Sequence, residues 1–237
     1  MGLVKNRMAH QKYNDYLICF DLDGVLINSM EPAIRIFFET MGRELGLTYD
    51  FRADRKMWAL APREKIDVLW RDEIRRRGIT QEQIDKAMAI YQKGKMEANI
   101  PALPYAREAM ALLANRFENI AVVSGNANFM VEGALKKLDV LSYVKKITGT
   151  DDVALSKPDP AIYRKTVEYF NLLPGHTLAF EDSSHGIAAA KGAGAKAIGV
   201  ATGVETFEEL QKTPADAVLH NLSELTLDLV FRTLRVS

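Results

Sequence analysis

The sequence predicts an α/β protein: a parallel sheet with helices on both faces, into which a helical domain is inserted. Three observations carry that expectation. Short apolar runs recur at Tyr16–Phe20, Ile120–Val123, Thr177–Phe180, Ala197–Val200 and Ala217–Leu219. Helical patterns lie between most of them, and strands alternating with helices favour a parallel sheet covered on both faces. Between the first run and the rest, the stretch from Met30 to Ile100 contains no convincing strand.

Taken in order, Met1–Asp15 is polar, lacks the apolar centre of a secretory signal, and reads as a short exposed extension. Tyr16–Phe20 (YLICF) stops abruptly at Asp21, with the length and composition of a buried parallel strand. It holds the single cysteine, Cys19, which reads as a small core residue and excludes an intrachain disulfide. Glu31–Leu45, Arg63–Arg77 and Gln81–Glu97 look like amphipathic helices, with Pro32 and Pro62 near two starts and Gly46 and Gly78 near two ends. Pro101 and Pro104 mark the return to the sheet, and Phe129–Leu138, Ala161–Phe170 and Ile187–Ala193 are its expected helices. The organisation expected is an extension plus first core strand and its loop over residues 1–29, a helical cap over 30–100, and the remainder of a Rossmann-like core over 101–237.

A chain of 237 residues suits one large domain, or one domain carrying a smaller one. Lys plus Arg number 31 and so do Asp plus Glu, so there is no basic footprint for nucleic acid. No apolar stretch reaches the length of a membrane span. A cytoplasmic location and no membrane partner are expected from these absences; monomer and homodimer both stay open.

Sites in open parallel sheets form at the carboxyl ends of strands. After the first run come Asp21-Leu22-Asp23-Gly24, two carboxylates whose closeness calls for a cation or a proton. Ser124-Gly125-Asn126 follow the second run and lead into a helix, where free backbone N–H groups bind phosphate well; an ordinary helix cap has the same composition. In Ser156-Lys157-Pro158-Asp159-Pro160, Asp159 and Pro160 read as a cap and a first helical residue, holding Lys157 just before a helix. Glu181 and Asp182 end another run, with a capping role open to Asp182 or Ser183; His185 has no spaced partners and reads as a cap or surface residue. Each cluster has a bland reading alone. Together they form the inventory for holding a phosphate beside a hard divalent cation such as Mg2+.

These residues resemble the haloacid dehalogenase superfamily. Asp21-Leu22-Asp23-Gly24-Val25-Leu26 is similar to its first motif, Ser124 to its second, Lys157 to its third and Glu181-Asp182 to its fourth. SKPDP and FEDSSHGIAAAKGAG are similar to the phosphoglycolate phosphatase and beta-phosphoglucomutase branch, whose members carry a helical cap where Met30–Ile100 lies. Ala106 departs from the glycine usual there, with little consequence expected for chemistry.

The resemblance implies an Mg2+-dependent phosphohydrolase acting on a small phosphorylated metabolite such as phosphoglycolate or a sugar phosphate. It makes Asp21 the nucleophile and Asp23 the acid and then the base. Asp21, Asp23 and Asp182 would hold the metal, with Glu181 bound through water or holding Lys157. Ser124, Gly125, Asn126 and Lys157 would grip the phosphate. A phosphomutase would keep the same site, and a catalytically silent phosphate-binding protein is a further alternative. A dehalogenase is disfavoured by Asp23, and a receiver domain by length and the inserted helices. Substrate choice is expected in the cap, where Trp58, Arg63, Lys65 and Trp70 are candidates and Arg63 is preferred because it follows Pro62 at a helix start. The competing reading has the tryptophans packing the cap core and the cations on its surface.

Overall fold

The computed structural model describes residues 12–50 and 62–236. The strands are β1 (Tyr13–Phe20), β2 (Phe117–Val123), β3 (Lys146–Thr148), β4 (Thr177–Glu181), β5 (Lys196–Val200) and β6 (Ala217–Leu219). After β1 come α1 (Met30–Leu45), α2 (Pro62–Arg77), α3 (Gln81–Glu97) and, before β2, α4 (Ala106–Ala114). Then follow α5 (Asn128–Lys137), α6 (Ala161–Phe170), α7 (Ser184–Gly192), α8 (Phe207–Leu210) and α9 (Leu227–Leu234). The strands form one parallel sheet in the order β3-β2-β1-β4-β5-β6. The chain builds outward from β1 to one side and then from β4 to the other. The β1/β4 boundary is therefore the switch point at which such sheets place their ligands. No described helix is long and apolar enough to cross a membrane.

Alternation along β1 supplies both faces of the sheet. Leu17 and Cys19 pack with Ile162 and Tyr163 of α6 and Ile187 of α7. Phe20, on the opposite face, stacks on Phe180 of β4 at 4.9 Å. Each such large apolar side chain contributes about 1.5–3 kcal/mol on burial. α4 packs on β2 and α9 on β4.

The start of β1 corrects one expectation. Tyr13–Asp15, read as exposed extension, belong to the strand. Tyr13 pairs with Phe117, and its ring meets Phe117 and Phe231, each at 5.5 Å. Pairing slips between Tyr13 and Leu17. The amide of buried Asn119 fills that break, donating to the carbonyls of Asn14 (2.8 Å) and Tyr16 (3.2 Å). Left unmet, such carbonyls would each cost about 1–3 kcal/mol.

The chain divides into two units, one of 12–28 with 102–236 and one of 29–50 with 62–101 among the described residues. In the second, α1, α2 and α3 enclose Phe37, Met41, Ile66, Trp70, Ile84 and Tyr91. Trp70 is core, its indole N–H donating to the Thr48 carbonyl at 3.2 Å. Lys65 is also buried, 5.9 Å over the Phe37 ring, and burial lowers its pKa to about 8. That corrects the reading of it as a surface cation. Arg63 is exposed and pairs with Asp85 of α3 at 2.6 Å. Trp58 lies outside the described residues.

Arg77 of α2 closes the end of α1, donating to the carbonyls of Leu45 (2.8 Å) and Gly46 (3.0 Å). These are orphan groups of a helix terminus. Arg77→Ala is expected to cost about 1–2 kcal/mol. Urea unfolding followed by tryptophan fluorescence checks this, because both tryptophans lie in the 30–100 stretch; an unchanged midpoint would contradict it.

Candidate active site

The last backbone bonds of two strands deliver two of the expected residues. Asp21 N–H donates to the Phe180 carbonyl (2.9 Å), and Ser124 N–H to the Thr148 carbonyl (3.0 Å). Since Phe20 pairs with Phe180, Asp21 lies level with Glu181 at the switch point. Asp21, Glu181 and Asp182 are all buried, and each offers a carboxylate oxygen within 4.8 Å of the others. Lys157 enters between them. Its ammonium donates to Asp21 Oδ1 (2.8 Å), Glu181 Oε1 (2.6 Å) and the Val123 carbonyl (3.1 Å). An ammonium has three protons, and all three are matched. Glu181 Oε1 also accepts from the Tyr163 hydroxyl, while its buried Oε2 has no partner among the described residues.

Asp182 lies against the turn after β1. Gly24 has φ +77, and a Cβ there would overlap Asp182 Oδ2. Glycine is thus required both by the left-handed backbone and by the close approach. Thr202 Oγ1 donates to the Gly24 carbonyl (2.6 Å), and Val204 N–H donates to Asp182 Oδ2 (3.3 Å).

Ser124 is fully buried and does not cap a helix. Its Oγ accepts from Asn126 N–H (3.2 Å) and Asn126 Nδ2 (3.0 Å). Asn126 Nδ2 also donates to Asp23 Oδ2, tying the second and first motifs together. Gly125 is exposed, with open space where a Cβ would stand. The expected free N–H groups at the following helix are corrected in part. α5 starts at Asn128, and its first amide is taken by Asp151 Oδ2 at 2.7 Å. α6 starts at Ala161, one residue later than the Asp159-Pro160 reading, and the Asp159 carboxylate accepts from Ala161 N–H (2.8 Å). Of the capping candidates after β4, Ser183 caps α7 by accepting from Gly186 N–H (3.2 Å). His185 is exposed.

Burial pushes the Asp21 carboxyl well above its ordinary range, against the pull of Lys157. Burial and then the charge of Glu181 raise Asp182 to about 7. Burial opposes the charge on Lys157, yet Asp21 and Glu181 outweigh it and hold its pKa above the usual lysine range. Three carboxylates face one ammonium, so two negative charges stay uncompensated when all are ionised. Hard oxygen donors with that charge deficit fit a small divalent cation.

A model of haloacid dehalogenase-like hydrolases matches residues 18–200. The chain belongs to the haloacid dehalogenase-like hydrolase family. Its relatives include a phosphorylated carbohydrates phosphatase of Thermotoga maritima, 28% identical over 76% of this chain and 82% of that one. A phosphoglycolate phosphatase of Photorhabdus laumondii is 25% identical over 88% of this chain and 89% of its own. Among solved structures, a beta-phosphoglucomutase of Clostridium difficile superposes with a TM-score of 0.74 at 18% identity, covering 93% of this chain and 97% of that one. The chain is thus an enzyme of this family's phosphatase type, with a family fold.

Gly186 and Tyr163 join the site only in the structure. Gly186 lies inside α7, where glycine costs about 1 kcal/mol against alanine, and that cost is the signal. A Cβ there would overlap the Glu181 carboxylate. Gly186→Ala is expected to lower turnover at least ~10-fold by displacing Glu181, with about 1–3 kcal/mol of overpacking strain. Kinetics and thermal melts check it, and unaltered kinetics would contradict it.

Proposed function

We propose that this enzyme is an Mg2+-dependent phosphohydrolase that cleaves a small phosphomonoester, of the phosphorylated-carbohydrate or phosphoglycolate type, through an aspartyl phosphate on Asp21. The observation that carries the reading is Lys157 shared between Asp21 and Glu181 beside Asp182. Asp21, Asp182 and the backbone carbonyl of Asp23 would hold the cation, with Glu181 bound through water. Bound there, Mg2+ supplies the positive charge that lets a carboxylate approach a phosphate dianion.

The remaining chemistry belongs to the chain. Lys157 holds Oδ1 of Asp21, which leaves Oδ2 as the attacking oxygen. The bond from phosphorus to Oδ2 forms as the bond to the substrate oxygen breaks. Asp23, oriented by Asn126, gives its proton to that leaving oxygen. Water then attacks phosphorus, loses a proton to Asp23 and releases Asp21. An acyl phosphate divides one hard displacement into two easier ones. Ser124, Gly125 and Lys157 would grip the transferred group. Arg63 remains the candidate for substrate selection.

A phosphate-release screen over phosphorylated metabolites with Mg2+ tests the reading. Chelator should abolish release, and Ca2+ should substitute poorly because it favours looser coordination. Full activity in excess chelator would sink the metal assignment. Product analysis separates the mutase alternative, which would return an isomeric ester in place of inorganic phosphate.

The raised carboxyls give a pH signature. In protein stripped of divalent cations, the folded state holds protons on Asp182 between its unfolded value of 3.8 and about 7, where the unfolded chain has released them. Stability from this group therefore falls as pH rises through that window. Mg2+ should raise the melting temperature more at pH 8 than at pH 5. Equal stabilisation at both would contradict the assignment.

A further inference from the structure

Tyr163 lies outside all four motifs, yet it reaches the nucleophile through three hydrogen bonds. Its side chain is fully buried. Its ring lies 5.6 Å from Lys157 Nζ, and its hydroxyl donates to Glu181 Oε1. That same oxygen accepts from Lys157, whose next partner is Asp21 Oδ1. The line Tyr163, Glu181, Lys157, Asp21 therefore runs from α6 to the attacking carboxylate.

We propose that Tyr163 is a positioning residue that sets how Lys157 is shared between Glu181 and Asp21. The proposal rests on the phosphohydrolase reading for its kinetic consequence. A carboxylate oxygen has two lone pairs. With Tyr163 on one and Lys157 on the other, Oε1 is saturated, and Lys157 keeps its second proton on Asp21. Without the hydroxyl, Oε1 is left short of a donor in a buried site. Lys157 is the other donor that Oε1 has among the described residues, and unmet buried acceptors draw available donors strongly. Lys157 then moves toward Glu181 and loosens from Asp21. The cost should fall mainly on the chemical step, because Lys157 shifts relative to Asp21 while Ser124 and Gly125, the other groups expected to grip the phosphate, are untouched.

Tyr163→Phe keeps the ring and removes only the hydroxyl. Its kcat should fall about ten-fold, with KM for the ester within about two-fold. In a Glu181→Gln background the same change should cost less than about two-fold, because the path runs through Glu181. A kcat within two-fold of wild type would overturn the proposal. So would a fall undiminished in the Glu181→Gln background, which would mark a merely structural role. p-Aminophenylalanine at position 163 retains an N–H donor at the same place and should recover most of the lost rate; no recovery would also overturn it. If wild-type protein hydrolyses no phosphomonoester, the phosphohydrolase reading fails on its own, and the nitrogen-15 signal of the Lys157 ammonium decides. A shift of that signal in Tyr163→Phe supports the positioning role, and an unmoved signal contradicts it.

Discussion

Replacing Asp21 by asparagine is expected to abolish turnover and leave the protein folded. The amide keeps the shape of the side chain and an oxygen for Lys157, but it cannot form an acyl phosphate. A loss of about 10⁴-fold or more in kcat is the expected scale for removing a covalent nucleophile. The fold should tolerate the change within about 1 kcal/mol, since a buried carboxylate is lost from a cluster short of positive charge. Without divalent cation the change should favour stability, because burial and the neighbouring Glu181 and Asp182 charges already hold the Asp21 carboxyl well above its ordinary range. Steady-state kinetics and thermal melts measure both sides. Substantial turnover in Asp21→Asn, with deamidation and contamination excluded, would remove Asp21 from the nucleophile's place.

Lys157→Met is the second large effect, and here activity and stability should fall together. The ammonium is mostly buried and satisfies oxygens from three strands' ends. Methionine retains length and apolar bulk and removes every one of those bonds. Taking one partner from a buried ion pair costs about 3–5 kcal/mol, because the other charge stays in place uncompensated. Here two carboxylates are left, so the upper part of that range is expected. Turnover should drop about 10³-fold, on the scale of removing charge stabilisation from a transition state. Added Mg2+ should restore part of the stability and little of the rate, since the cation offsets charge without holding Asp21 Oδ1. Denaturant titration with and without Mg2+ checks the first part, and saturating-metal kinetics the second. A variant as stable as wild type in chelator would contradict the charge account.

The elements legible in the sequence were those with a simple burial pattern. The second half of β1, with β4 and β5, is a nearly continuous apolar run, as strands covered on both faces should be. The apolar run of β2 begins only at Ile120, because Glu118 and Asn119 interrupt the strand before it. Asn119 is polar there to satisfy carbonyls at the break in β1, which only the paired structure discloses. β3 is three residues at a sheet edge with a lysine at its head, too short for any periodicity. α4 has no counterpart among the expected helices, and its entry turns on Tyr105 with φ +65. Ala106, the departure from the family's glycine, sits buried just inside the helix and does not carry that turn.

For the site, strand ends pointed to the acids and Ser124 because the residue types are costly there without a purpose, and the Asp159-Pro160 helix start pointed to Lys157. What they touch was not legible. Asn126, expected at the phosphate, bonds Asp23 and Ser124. Tyr163 gave no signal, since an aromatic on the inner face of α6 reads as core. The tie between Lys157 and both Asp21 and Glu181 joins residues far apart in sequence.

The acyl phosphate itself is the most direct test. Asp23→Asn should retain phosphorylation of Asp21 by an aryl phosphate, whose leaving group needs little protonation, and should slow the attack of water. The intermediate should therefore accumulate in this variant. Rapid acid quench, borohydride reduction and peptide mass spectrometry would then read homoserine at position 21, dependent on substrate and Mg2+ and absent from the Asp21→Asn protein. No homoserine at position 21 in a preparation that still releases aryl alcohol, or modification at any other residue, would contradict the account.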